Sequence, residues 1–269
     1  MIYCSHGIVE NHCPKKYCHR NTLDREKLET YLKNKKEKYV TLREALDGKG
    51  DAFTIDDATY SSLEAAKLLR KHDHEVTIYV NPYYIENNVL YWFSILNYLL
   101  DTCLYPSLCL QGTDYSLASY REKNVFRKNL KQIVAAFPTE ESIHVYLGAV
   151  FNTDLKNIDI PAHLQTFTES DILEIQKLGV DIQNHGWTHK QLNTSTPEEI
   201  DYEVLTGRVW LKNKFNIDPC YYAVPFGERY PPCDYDFSGV DCWFLLCDDL
   251  SYGSVDKRVY NRSNFKFEN

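Results

Sequence analysis

Strand and helix signals alternate along almost the whole chain, and few architectures accept that order. Short β-type runs are read at residues 2–9, 52–56, 75–80, 143–150, 180–183, 221–224 and 243–246. Helical patterns lie between them. The first opens at Thr22-Leu23-Asp24 and sets Leu28, Tyr31 and Leu32 on one face. Others cover 63–70, roughly 88–103 and 115–136, 170–178, and a long run from Thr196 to about Phe215. Local chemistry supports these limits. Thr41 followed by Glu44 is a capping-box pattern, Gly179 is a natural helix stop, and Thr196-Pro197-Glu198-Glu199 combines an N-cap, a first-position proline and early acids. Strands alternating with helices build a mainly parallel sheet, open or closed into a barrel. The class expected is therefore α/β. With 269 residues and neither repeats nor linker-like tracts, the expectation is a single domain over 1–269 with a helical insertion around 83–136.

In a βα barrel, chemistry collects where the strands end. Four polar clusters fall at such ends: His6, the pair Asp56-Asp57, His185 with His189, and Pro225-Phe226-Gly227. Each alone is weak. Paired aspartates are commonly a solvated loop or a cap, and two histidines four apart fit a turn as well as a metal pair. Taken together they supply two imidazoles and a carboxylate (Asp57, His185, His189), a set that suits a divalent metal and leaves one position open. Asp56 stands beside them as a candidate proton acceptor. Strand neighbours point to opposite sides, so the backbone must bend at Asp56-Asp57 for both to reach one pocket. Trp187, between the histidines, fits sugar stacking or plain packing equally. Of Tyr221 and Tyr222, one is expected to face the pocket and the other the core.

Composition removes other classes. The net charge of −8, a pI near 5.6 and the lack of any Lys/Arg block exclude nucleic acid as a partner. The most apolar stretch, 89–100, falls short of the ~20 residues needed to span a bilayer and reads as a core or interface helix, with surface docking on a membrane as the alternative. The N-terminal residues lack the pattern of an export signal, so the expected location is cytoplasmic. Nine cysteines with no C-x-x-C pair are expected as free thiols; the loop from His12 to His19, with Cys13 and Cys18, is a secondary zinc candidate. Twenty-one tyrosines and four tryptophans suit sugar-stacking surfaces or ordinary cores alike.

Three of these segments carry a family resemblance. Thr54-Ile55-Asp56-Asp57 resembles the T-F-D-D motif of the NodB-like polysaccharide deacetylases, carbohydrate esterase family 4. His185-Gly186-Trp187-Thr188-His189, with Leu192 after it, is similar to that family's second motif, H-[S/T/G]-x-x-H. Ala223-Val224-Pro225-Phe226-Gly227 is similar to the third, R-x-P-[F/Y]-G. The resemblance implies a deformed (β/α) barrel that hydrolyses the N-acetyl group of an amino sugar. It implies Asp57, His185 and His189 as ligands of one divalent ion, usually zinc, Asp56 as base, and a backbone N–H at Phe226, after Pro225, for the oxyanion. Two departures stand out. The motif-three arginine is Ala223 here, leaving Arg229, Arg258 and Arg262 as replacements among which the sequence does not choose. No histidine follows His189, so the late general acid is missing. A branch that acts on poly-N-acetylglucosamine carries its acid histidine on an N-terminal strand, and Ser5-His6-Gly7-Ile8 stands at that place, with Ser5 where the branch has Tyr. His6 is then the expected acid, against the plain reading of a polar residue ending a strand.

The substrate expected is an N-acetylated sugar, nucleotide- or lipid-linked, in an O-antigen or capsule type of surface-glycan precursor. Two other readings use the same residues: a metal-dependent amidase or deformylase on another substrate, and a non-catalytic carbohydrate-binding protein on a degenerate fold. Asp248-Asp249 reads as a loop, and His144 and His163 as structural.

Overall fold

A computed structural model describes residues 1–10, 22–192, 195–227, 242–246 and 259–267. In chain order the elements are β1 (Ile2–Ser5), β2 (Ile8–Val9), β3 (Leu23–Asp24), α1 (Arg25–Asn34), α2 (Leu42–Leu46), β4 (Ala52–Asp56), α3 (Tyr60–Lys71), β5 (Thr77–Val80) and α4 (Pro82–Glu86). They continue with α5 (Trp92–Thr102), β6 (Ser107–Leu110), β7 (Thr113–Ser116), α6 (Tyr120–Val134), α7 (Glu140–Phe151), α8 (Glu169–Lys177), β8 (Asp181–Asn184), α9 (Pro197–Phe215), β9 (Tyr221–Ala223), β10 (Cys242–Leu246) and β11 (Val259–Asn264).

Among the described residues, seven strands close a barrel in the order β1-β11-β10-β9-β8-β5-β4, with every neighbour parallel. The chain is thus the deformed (β/α) barrel expected. Its strands show the period of two that a barrel imposes. In β4, Phe53 and Ile55 join the large apolar cluster with Leu63, Ala66 and Leu69 of α3 and Ile172 and Ile175 of α8, while Thr54 and Asp56 hydrogen-bond within the barrel. Burying each such Leu or Ile contributes about 1.5–3 kcal/mol. The caps expected at Thr41, Gly179 and Thr196 are present, and Thr168 adds another. Thr41 with Glu44, Thr168 with Asp171, and Thr196 with Glu199 form reciprocal boxes, and Gly179 ends α8 at φ 75°.

The chain forms two compact units. One carries the barrel and its helices up to Val89 and again from Thr166; the other spans Leu90–Gln165. The second unit holds α5, the β6–β7 antiparallel hairpin, α6 and α7. α5 buries eight of its eleven residues, so its apolar side chains serve packing. No described helix is long and apolar enough to cross a membrane.

Two expectations need correction here. The strand read at 143–150 is α7: Thr139 and Ser142 form a capping box, and Ile143, Leu147 and Phe151 recur every four residues as one buried helical face. Gly148 and the β-branched residues around it imitate a strand locally, but the cap and the period of the flanking residues prevail. The run 2–9 is not one strand either, because the chain turns at His6-Gly7 and resumes as β2, paired with β3 rather than with the barrel.

Candidate functional site

The cluster at the strand ends assembles as the sequence placed it. Asp57 follows β4, and His185 follows β8 with His189 four residues on. One ligand-type atom from each lies within 4.8 Å of the other two, and all three residues are buried. The Nε2 atoms of His185 and His189 stand 3.7 and 3.4 Å from Asp57 Oδ1. The His185 and His189 rings meet edge to face at 4.9 Å. His185 Nδ1 bonds the Ala223 carbonyl at 2.8 Å. That bond makes Nδ1 the donor and leaves Nε2 with its lone pair toward the cluster, the second contact by which metal-binding histidines are oriented. Burial lowers the pKa of His185, favouring the neutral imidazole that ligation requires.

The bend required at Asp56-Asp57 is present. Asp57 takes φ 68°, His189 φ 60° and Phe226 φ 64°, all in the left-handed region that side chains with a Cβ seldom adopt. Strain of about 1–3 kcal/mol per residue persists only where surrounding contacts enforce it, and such residues gather at functional sites.

Asp56 points into the barrel beneath the cluster. Its two carboxylate oxygens accept from Arg262, Nη1 to Oδ1 at 2.7 Å and Nη2 to Oδ2 at 2.6 Å. Arg262 is fully buried in β11; Nη1 also donates to Thr54 Oγ1 at 3.1 Å, and its guanidinium lies 5.2 Å from the centre of the Tyr79 ring. The Cys4 thiol donates to Asp56 Oδ2 at 3.5 Å. Burial opposes the charge on Asp56, yet the Arg262 guanidinium holds its carboxyl well below the usual carboxylate range. Of the three arginines that could replace the motif-three residue, Arg262 is the one on Asp56; Arg229 and Arg258 lie outside the described residues. His6 follows β1, where Ser61 at the start of α3 donates to the Ile8 carbonyl at 2.9 Å and to the His6 carbonyl at 3.4 Å.

The loop from His185 to His189 is suspended from two helices. Asn81, at the end of β5, donates to the carbonyls of His185 and Gly186 at 2.6 and 3.0 Å, and Tyr84 of α4 donates to the Thr188 carbonyl at 3.2 Å. From α9, the buried Glu203 accepts the Thr188 N–H at 2.8 Å and the Thr188 hydroxyl. Asn184 donates to the Val204 carbonyl at 2.8 Å and accepts the Gly186 N–H at 3.0 Å. Gly186 takes φ 89°, and a Cβ there would sit 2.8 Å from the Tyr222 hydroxyl. At Gly207 of α9 a Cβ would come within 2.5 Å of Asn184 Oδ1.

Trp187 is a correction. It is 7% exposed, belongs to the apolar core and packs edge-on against Tyr83 at 6.0 Å, so it offers no face to a sugar. Tyr221 and Tyr222 are both buried. Pro225 is buried, and the partly exposed Phe226 sets its ring 4.6 Å from that of His189. The Cys13/Cys18 loop and Asp248-Asp249 lie outside the described residues. Sequence reasoning missed Asn81, Glu203 and Gly207. The latter two left a signal: a carboxylate within the buried stripe Ile200, Val204, Trp210, Leu211 of α9, and a glycine in the same helix interior.

A parallel barrel with a buried carboxylate–imidazole cluster at its strand ends has the build of an α/β-barrel hydrolase. The family profile for polysaccharide deacetylases matches residues 44–233, well over half of the chain, and the chain belongs to that family. It is accordingly a carbohydrate deacetylase, a hydrolase of N-acyl C–N bonds. Comparison with curated protein sequences finds no match. Among solved structures, the chain is similar to the Streptococcus pyogenes deacetylase PplD in complex with acetate, with TM-score 0.60 and 12% identity over 98% of this chain and 91% of that one. It is also similar to the de-N-acetylase from Aggregatibacter actinomycetemcomitans (TM-score 0.56, 11% identity, 97% and 93% covered) and to IcaB from Ammonifex degensii (0.56, 12%, 98% and 91%). At such identities the likeness is one of fold.

Proposed function

We propose that this chain removes the acetyl group from an N-acetylated sugar, with Asp57, His185 and His189 holding one divalent metal ion. The observation that carries the reading is the buried group of those three side chains with Asp56 directly beneath it. The donor set fits a small divalent ion such as zinc: two neutral imidazole nitrogens and one carboxylate oxygen, with the orientation of His185 fixed by Ala223. A metal held there supplies Lewis acidity to the amide carbonyl and to water.

The remaining steps belong to the chain. Asp56, kept ionised and aimed by Arg262, accepts the proton as water adds to the acetyl carbon. The backbone N–H of Phe226 donates to the developing oxyanion. His6 gives a proton to the amide nitrogen as the C–N bond breaks, releasing acetate and the free amine. Amide and water are consumed, and acetate and the free amine are formed. The acetate in PplD's complex is the kind of product this reaction releases. The intact set of Asp56, Asp57, His185 and His189 supports an enzyme over a binding protein on a degenerate fold.

For substrate, the reading is a surface-glycan precursor of O-antigen or capsule type, handled in the cytoplasm. Free thiols at Cys4, Cys103 and Cys109 support a reducing compartment. The test is acetate release from matched N-acetyl, N-formyl and non-sugar amides, by wild type and Asp56→Asn. Turnover confined to N-acetyl sugars and abolished in the variant is the expected result. Equal turnover of non-sugar amides would favour the general amidase.

A further inference from the structure

We infer that Glu203 is a positioning residue for the metal ligand His189, fixing its left-handed conformation by gripping the residues immediately before it, Thr188 and Trp187. The inference rests on the metal-site reading above and adds a residue to it. Glu203 lies on α9, fourteen positions beyond His189, and is 1% exposed. Its carboxylate accepts the backbone N–H of Thr188 at 2.8 Å and the Thr188 hydroxyl. Its main-chain carbonyl accepts the Trp187 N–H at 2.9 Å. One helical residue thereby holds both residues that precede His189.

Those peptides set the imidazole. His189 sits at φ 60°, a conformation without local backing in a histidine, so the energy that keeps it there must come from neighbours. The N–H and hydroxyl of Thr188 converging on one carboxylate are such a restraint, and burial strengthens them. The anchor is rigid as well. Around Glu203 the same helix buries Ile200, Val204, Gly207, Trp210 and Leu211, and Gly207 allows α9 to close onto Asn184. An isolated carboxylate in that stripe would be destabilising by several kcal/mol. Its donors are those of the loop that carries His189, which accounts for a carboxyl group at a position where the rest of the face is apolar.

The test is zinc affinity, measured on metal-free protein by competition with a chromophoric chelator, together with the thermal midpoint of each metal-free form. Glu203→Gln keeps size and loses the second acceptor oxygen; the expected result is a zinc Kd raised about 10–100-fold. Leu211→Ala, on the same helix and fully buried, is the control for instability alone, with a lowered midpoint and a Kd within about twofold of wild type. If Glu203→Gln does not fold, Thr188→Val removes one donor to Glu203 and leaves all three ligands in place, with an expected Kd increase of about 3–10-fold. Wild-type affinity in Glu203→Gln, or in Thr188→Val where that variant replaces it, overturns the inference and leaves the metal site standing. Equal weakening in Leu211→Ala also overturns it. No zinc binding by wild type overturns the metal-site reading and this inference with it.

Discussion

Arg262 grips Asp56 through both terminal nitrogens, at 2.7 and 2.6 Å, from the last strand of the barrel rather than from motif three. The family-matched segment ends at 233, so this partner comes from outside it. Asp56 is 2% exposed and Arg262 0%, and a buried pair of this kind is far worse broken than intact. Arg262→Met is expected to lower stability by about 3–5 kcal/mol, read by urea unfolding, because it strands the Asp56 charge. Arg262→Lys keeps the charge without the fork and is expected to lower kcat about 10–100-fold with bound metal unchanged. In the pair Arg262→Met and Asp56→Asn, the double variant is expected to be more stable than the sum of the single losses implies.

His6 provides a separate check on the reaction. His6→Ala is expected to lower kcat by about 10²–10⁴ while leaving metal content at the wild-type level, since a lost proton donor affects bond cleavage and not ligation. Acetate release and metal analysis on the same preparations check this. Full turnover in His6→Ala would remove His6 from the chemistry.

Gly207→Ala separates packing from propensity. In a helix interior alanine is favoured over glycine by about 1 kcal/mol. Here the new Cβ would lie 2.5 Å from Asn184 Oδ1, on a side chain already bonded to Val204 and Gly186. Contact is expected to win, with a net loss of about 1–3 kcal/mol in thermal or urea unfolding. A stabilised variant would show that α9 and the ligand loop are not held together as described.

Away from the site, His74 gives stability a definite pH dependence. Its Nδ1 accepts the Tyr39 N–H at 3.0 Å, which requires the neutral ring. Burial, then the charge of Lys38, lowers its pKa from 6.5 to about 4. Above 6.5 both folded and unfolded forms are neutral and the contribution is complete. As pH falls from 6.5 toward 4 the unfolded chain takes up a proton that the fold refuses, so stability declines. Relative to His74→Asn, wild type is expected to lose about 1–2 kcal/mol over that window, the effect of the solvated lysines being screened. Parallel pH profiles for the two proteins would contradict it.

How far the sequence revealed this site depends on whether a residue's partner was near in the chain or distant. The clustering of Asp57, His185 and His189 was legible because Asp57 and His185 follow strand ends and all three sit in compact motifs: Asp57 beside Asp56, His185 four before His189. Capped helices were legible for the same reason, since Thr196 and Glu199 need only each other. α7 was misread because 143–150 considered alone is rich in strand-forming residues, while the decisive cap, Thr139, lies before it. Choosing Arg262 among three arginines depended on the register that sets Tyr3 against both Ser263 and Phe53, bringing β11 and β4 to either side of β1. No local pattern encodes that. Trp187 stayed open between stacking and packing because position between two histidines does not fix direction; in the fold its indole belongs to the apolar core.

The central claim is that His189, His185 and Asp57 hold a metal, and the most direct measurement is the metal content of protein purified without added metal, wild type against His189→Ala. About one equivalent of zinc or a similar divalent ion in wild type, lost in the variant, is the predicted result. Wild type that takes up no metal even when incubated with zinc or cobalt would contradict it. So would a variant that keeps its full equivalent, which would place the ion elsewhere, with the cysteines of the 12–19 loop the first residues to test.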